Sequence, residues 1–354
     1  MSDSAVESPP KVRMTRTEFR ATAYLAGVSG LRMLGLFIVL PVLGLDASSL
    51  PGGGAPAVIG FAIGVYGLAQ AVLQIPFGWA SDRVGRKPAI AFGLVVFAAG
   101  SFVAAWAPDI VWLAAGRTLQ GAGAVSAVVM ALAADLTRDE VRTRAMAMIG
   151  ITIGATFAVS LVAGPVLGST IGVPGIFVLT GLLAIAAIAV VQFGVPDPTA
   201  GARGHGGAGE RVALRRVLAD PQLLRLDFGI FTLHAILMAL FVQVPFALRD
   251  AGIVPSRHWM VYLPVLVVSV GVVLPLFRSV DRPGRGKAVL TGAIAALVAS
   301  LLILAAARSS LATIVTGLYP HQHKITSNDP PGPPGPGLAV RAGAPKPDIS
   351  SVDA

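Results

Sequence analysis

The sequence predicts an all-α polytopic membrane protein, and three observations carry that expectation. Of its 354 residues, 55% are hydrophobic and 13% are charged, against a charged share of about 25% in soluble domains, and the mean hydropathy is +0.77. Nine apolar stretches reach the length of about 20 helical residues that a bilayer requires. Their interiors are rich in Gly, Ala, Leu and Val without period-two alternation, so they read as helices rather than barrel strands. Cysteine is absent, which excludes disulfides and thiolate metal sites. The net charge of +9 falls in short basic clusters between apolar segments, a placement that suits an anionic lipid face and not nucleic acid.

The spans are placed at 19–44, 57–80, 89–107, 110–134, 146–170, 174–195, 223–248, 259–279 and 288–307. Residues 1–18 form a polar, basic arm with no cleavage site after it, so span 1 reads as a retained helix. Arg32 stands near its middle, where a cation costs about 2.5–3.5 kcal/mol and needs a partner or a wet cavity. Span 2 repeats Tyr66, Gln70 and Gln74 along one face. Between spans 2 and 3 the charged run GWASDRVGRKPAI interrupts the apolar chain. There Gly85 permits a positive φ, Pro88 suits a first helical turn, and Asp82 can accept hydrogen bonds from the nearby arginines.

Span 4 carries Arg117 with Gln120 and Gly121 on the same face. Span 5 spaces Gly150, Gly154, Gly164 and Gly168 for close helix contact, with Pro165 inviting a bend. In span 7, Asp227, Phe231, His234 and Met238 line one face. Such stripes form either an amphipathic cavity near the midplane or hydrogen bonds between packed helices. Arg32, Arg117, Gln120, Asp227 and His234 are the candidates for a coupling or proton path, and Tyr66, Gln70, Gln74, Phe231 and Met238 for a substrate cavity. Histidine is the side chain whose unperturbed pKa lies nearest neutrality, which makes His234 a candidate proton carrier, and Asp227 is the other.

Lys and Arg in or bordering the N-terminal arm and loops 2–3, 4–5, 6–7 and 8–9 number 19, against Arg249 and Arg257 on the opposite loops. The positive-inside rule then predicts a cytoplasmic N-terminus. The polar linker 196–222 divides a six-span bundle, 19–195, from a three-span segment, 223–307. Loop 8–9 echoes loop 2–3: Asp281-Arg282-x-Gly284-Arg285 against Asp82-Arg83-x-Gly85-Arg86. An echo at corresponding places in two halves suits a transporter built from parallel repeats.

The charged run, from Gly78 through Asp82, Arg83, Gly85, Arg86 and Lys87, resembles the signature loop of the major facilitator superfamily. The stretch RTLQGAGA is similar to its second signature, and GPVLG (Gly164, Pro165, Gly168) to the motif of its exporters, with Ser169 where a second glycine usually stands. Longer stretches, such as LRMLGLFIVLPVL, resemble the YajR-type, drug-efflux-like bacterial branch, and the likeness covers about residues 15–307. It implies a major facilitator fold with a complete N-terminal half and an incomplete C-terminal one. It also implies a conformational latch made by the signature loop, with Asp135 as the acid facing Arg86 and a static anchoring network as the alternative. After LATIVTGLYP the chain turns polar and Pro-Gly-rich from His321 to Ala354, a composition that cannot pack or span, and the tail is set at 308–354. Against the family plan this reads as a truncated or frameshifted coding sequence.

Three functions are carried forward: proton-coupled export of small amphipathic compounds, import of a polar metabolite, and a non-transporting membrane fragment. No metal, nucleotide or hydrolytic signature suggests an enzyme, and no cofactor is expected. The expected partners are a small-molecule substrate, protons and the lipid bilayer. The chain is expected to act as a monomer in a bacterial inner membrane.

Overall fold

A computed structural model describes residues 13–123, 125–197, 220–280 and 285–316. All nine predicted stretches are helical, and among the described residues seven helices are long and apolar enough to cross a membrane. The helices are α1 (Arg16–Ala47), α2 (Pro56–Val84), α3 (Arg86–Ala105), α4 (Ile110–Ala122), α5 (Ser126–Asp135), α6 (Asp139–Thr170) and α7 (Gly172–Ala189), then α8 (Pro221–Asp250), α9 (Trp259–Val280) and α10 (Arg285–Thr316). A π-helical turn, Val190–Gly194, ends α7.

Local chemistry sets the helix ends. Thr15 caps α1 in a reciprocal box with Glu18, whose carboxylate accepts from the Thr15 amide at 2.7 Å. Asp109 accepts from the amides of Val111 and Trp112 at the start of α4. Gly85, at φ +105°, turns α2 directly into α3, a conformation that a side chain would strain.

One predicted span is interrupted. Residues 110–134 form two helices, α4 and α5, because the chain leaves helical geometry at Gly123 and the Val125 amide turns back to the Gly123 carbonyl at 2.8 Å. The cause is close approach on both sides. Gly121 lies against the Tyr66 carbonyl on α2 and Gly123 against the Gly93 carbonyl on α3, leaving no room for a Cβ at either.

The first compact unit covers Met1–Ser269. Within it α1 packs on α6 and α7, α3 on α4 and α7, and α2 on α4. One core layer gathers Val39, Leu43, Ile176 and Phe177, and another Leu25, Ile90, Leu132 and Val191. Phe61, Val72, Phe92 and Ile151 point outward and are mostly exposed, as suits side chains that meet lipid tails. The unit runs past the boundary predicted at 196–222, since α8 packs back onto it. Phe241 is buried with its ring edge-on to Phe157 at 6.0 Å, and Phe246 lies beside Gly44.

The glycines of α6 divide into two pairs. A Cβ at Gly164 would fall 2.5 Å from the Ile38 carbonyl oxygen, and one at Gly168 would fall 2.9 Å from Val42, so these two seat α6 against α1. At Gly150 and Gly154 a Cβ meets nothing within 4 Å. The close contact expected at that pair is therefore not made: both face away from α1 and are exposed. The helix runs unbroken through Pro165.

The second unit, Val270–Ala354, comprises among its described residues the end of α9 and α10. Most of the N-terminal arm and of the linker, the loop echo at Asp281, Arg282 and Gly284, and the tail after 316 lie outside the described residues.

Candidate functional site

Two arginines meet in the middle of the first unit. Arg32 and Arg117 are 2% and 1% exposed, and Tyr66 stands between them. Arg32 Nη2 donates to the Tyr66 hydroxyl at 2.9 Å and to Gln70 Oε1 at 3.0 Å, while Nη1 donates to Ser126 Oγ at 2.8 Å. The Arg117 guanidinium lies over the Tyr66 ring, 4.8 Å from its centroid, a cation–π contact that burial strengthens. Arg117 Nη1 also donates to Gln120 Oε1 at 2.9 Å, and Gln120 Nε2 passes the chain on to Ser101 Oγ at 2.8 Å. The Phe97 ring covers Arg32 at 5.4 Å.

Neither guanidinium is paired with a carboxylate among the described residues. Both Nε atoms, and Gln74 Oε1 on the same face of α2, are buried without a partner. Two uncompensated charges in an apolar bundle are costly, so their arrangement by side chains from α1, α2, α3, α4 and α5 makes this cluster the leading candidate for a functional centre. The break after Gly123 helps build it, because it sets Ser126 at the start of α5.

A second cluster gathers where α2 meets α3. Arg86 reaches Asp82 at 2.6 Å, Asp135 at 3.1 Å and Ser81 Oγ at 2.7 Å. Lys87 donates to the Val195 carbonyl at 2.9 Å and lies 3.3 Å from Asp197, which ties the loop to the end of α7. Arg83 points outward and stacks on Trp79, 3.5 Å from the ring centroid. A Cβ at Gly78 would meet nothing within 4 Å, and the Gly78 carbonyl accepts from the Ser81 hydroxyl.

The two acids facing Arg86 differ in exposure, with side chains 58% exposed at Asp82 and 22% at Asp135. Asp135→Asn is therefore expected to destabilise the protein by about 1–2 kcal/mol, and Asp82→Asn by less than about 1 kcal/mol. Thermal melts of the two purified variants decide this, and equal losses would mean that burial does not set the strength of the cluster.

Not every candidate joins these clusters. On α8, Asp227, Phe231 and His234 are exposed, His234 bonding only the Ile230 carbonyl at 2.9 Å; Met238 alone of that stripe packs into the core. Among the described residues the buried histidine is instead His258, 0% exposed, with Nε2 3.1 Å from the Ile253 carbonyl. Burial pushes its imidazole below the ordinary value. Sequence reading also missed Ser101 and Ser126, and the ion pair from Arg138 to Glu18 at 2.8 Å. The Thr15-x-x-Glu18 spacing ahead of an apolar run was the available signal for Glu18.

The sequence profile of the Major Facilitator Superfamily matches residues 25–319. The chain belongs to this superfamily. It is thus a multi-pass membrane protein of this superfamily, and the Arg86 cluster lies within the matched residues. The inner membrane transport protein YajR of Escherichia coli (strain K12) is 43% identical over 306 residues, covering 86% of this chain and 67% of YajR. The class G tetracycline resistance protein of Vibrio anguillarum is 29% identical over 242 residues, 66% of this chain and 57% of that protein. Among solved structures, a bacterial homolog of the human lysosomal transporter Spinster shares the fold with a TM-score of 0.60 at 16% identity, over 77% of this chain and 63% of that one. The chain spans about two thirds of the length of YajR and of two other curated relatives that it matches.

Proposed function

We propose that this major facilitator transporter exports small amphipathic compounds in exchange for protons, by alternating access, with its N-terminus in the cytoplasm. The observation that carries the direction is the seam of Gly164, Pro165 and Gly168 against α1, which occupies the place of the exporter motif. Likeness to a tetracycline resistance protein points the same way. Arg32, Tyr66, Gln70, Arg117 and Gln120 form the coupling centre, with Gln74 completing the cavity face of α2. Asp227 and His234 on α8 remain the candidate proton carriers. Arg86, held by Asp82 and Asp135, is the latch on the cytoplasmic side.

Everted membrane vesicles from cells expressing the chain test this with a panel of cationic, neutral and anionic fluorescent probes. Accumulation of at least one probe is expected when respiration acidifies the lumen, and a protonophore is expected to abolish it. Accumulation only in right-side-out vesicles would make the protein an importer. No movement in either orientation would leave the chain without transport activity.

A further inference from the structure

His258 stands at the corner between α8 and α9 and belongs to neither charged cluster. Its carbonyl accepts from the Val261 and Tyr262 amides, so the residue caps the start of α9. The 3₁₀ turn ahead of it, Pro255–Arg257, packs on α6 and on α8. The ring is fully buried, edge-on to Tyr262 with the centroids 6.3 Å apart.

The hydrogen bonds fix which nitrogen carries the proton. Nε2 faces the Ile253 carbonyl, which can only accept, so Nε2 is the donor. Nδ1 then holds the lone pair and is buried without a partner. A second proton would add an N–H with no acceptor and a charge with no acid paired to it. On α6, no residue from Ala145 to Thr170 is ionisable. At the end of α8, Arg249 and Asp250 are exposed and lie 3.3 Å from each other. The turn adds only Arg257, an exposed cation. Tyr262, on α9, is neutral where histidine titrates. The positive end of the α9 dipole opposes an imidazolium as well. His258 therefore takes a proton readily only by leaving its seat.

We propose that His258 is a proton-operated catch on the outer face, seating the α8–α9 corner on α6 when neutral and releasing it when protonated. The seat joins α6 to two helices that follow the linker. With a cytoplasmic N-terminus it lies on the side that respiration acidifies. That release opens the transport pathway outward rests on the reading above; the pH dependence of the seat does not. Burial holds the imidazole below its ordinary value. The seat is accordingly held in full above about 6.5, the ordinary histidine value, and weakens by up to about tenfold per unit as the pH falls below it.

The chain has no cysteine, so Val254→Cys on the corner and Ser169→Cys on α6 carry one spin label each. Val111→Cys with Ser169→Cys is the control pair within the N-terminal bundle. Distances are read on the purified full chain at about pH 8 and about pH 5, on either side of the ordinary histidine value. The corner pair is expected to show one distance at the higher pH and an added longer one at the lower, with the control pair unchanged. His258→Gln keeps an amide donor for the Ile253 carbonyl but cannot be protonated, and is expected to hold the single distance at both. If that variant does not fold, the midpoint with His258 in place decides, and a midpoint above about 6.5 would sink the proposal. No change at the corner would do the same. A change that persists in His258→Gln would assign the titration to another group, such as Asp46 at the end of α1 or Asp250. A parallel change in the control pair would reduce the effect to acid unfolding. Each of these results overturns the proposal. A corner that opens in acid, in a chain that moves no probe, would defeat the transport reading and leave the catch standing. Proton-driven export with a corner unmoved by pH would do the reverse.

Discussion

Arg117→Met is expected to abolish proton-driven transport while leaving the melting temperature unchanged or slightly raised. Arg117 is the largest of the fully buried side chains among the described residues, and methionine fills much of its volume without its charge. Exchanging a buried charge for an apolar group of similar size is often neutral or stabilising by about 1–4 kcal/mol. The loss of its donor at Gln120 Oε1 offsets this by about 1–3 kcal/mol. Arg117→Ala would confuse two effects, since its void costs about 3–5 kcal/mol by itself. Vesicle transport and thermal melts on the two variants separate function from packing. Retained transport in the methionine variant would make Arg117 a structural residue.

Gly164→Val is expected to destabilise the N-terminal bundle by about 3 kcal/mol or more, and Gly150→Val to change stability by less than about 0.5 kcal/mol. Both lie on α6 in the same spacing motif, yet only Gly164 is pressed against backbone, the Ile38 carbonyl oxygen on α1. A carbonyl cannot rotate aside as a side chain can, so the two helices must separate. The yield of monodisperse protein and its melting temperature provide the comparison. A tolerated Gly164→Val would mean that α1 and α6 slide past one another more freely than their contact suggests.

These two glycines also show what sequence could and could not convey. Apolar length alone placed the helices, because a bilayer demands about 20 such residues whatever their neighbours are. The meeting of Arg86 with Asp82 was legible from their closeness in the charged run, whereas its meeting with Asp135 was implied only by the family resemblance. Spacing could not say which side of α6 faces α1, so Gly150 and Gly154 were grouped with Gly164 and Gly168. The break at Gly123 was hidden because its cause lies outside the segment, in the Tyr66 and Gly93 carbonyls that crowd it. Ser101 and Ser126 passed unnoticed for a similar reason: a small hydroxyl acquires meaning only from the arginine or glutamine that reaches it. His234 stands out in the sequence by its position within a span, whereas the burial of His258 depends on contacts that no local pattern records.

The break in the fourth span has a mechanical consequence. It leaves α5 as a separate rod of ten residues, about 15 Å long. At one end Ser126 holds Arg32, and at the other Asp135 holds Arg86. The rod is packed in the core through Val128, Val129 and Leu132, so a displacement of the loop at its Asp135 end is expected to reach Arg32 as a shift of the Ser126 hydroxyl. One short rod in a single membrane crossing thus joins the two charged clusters.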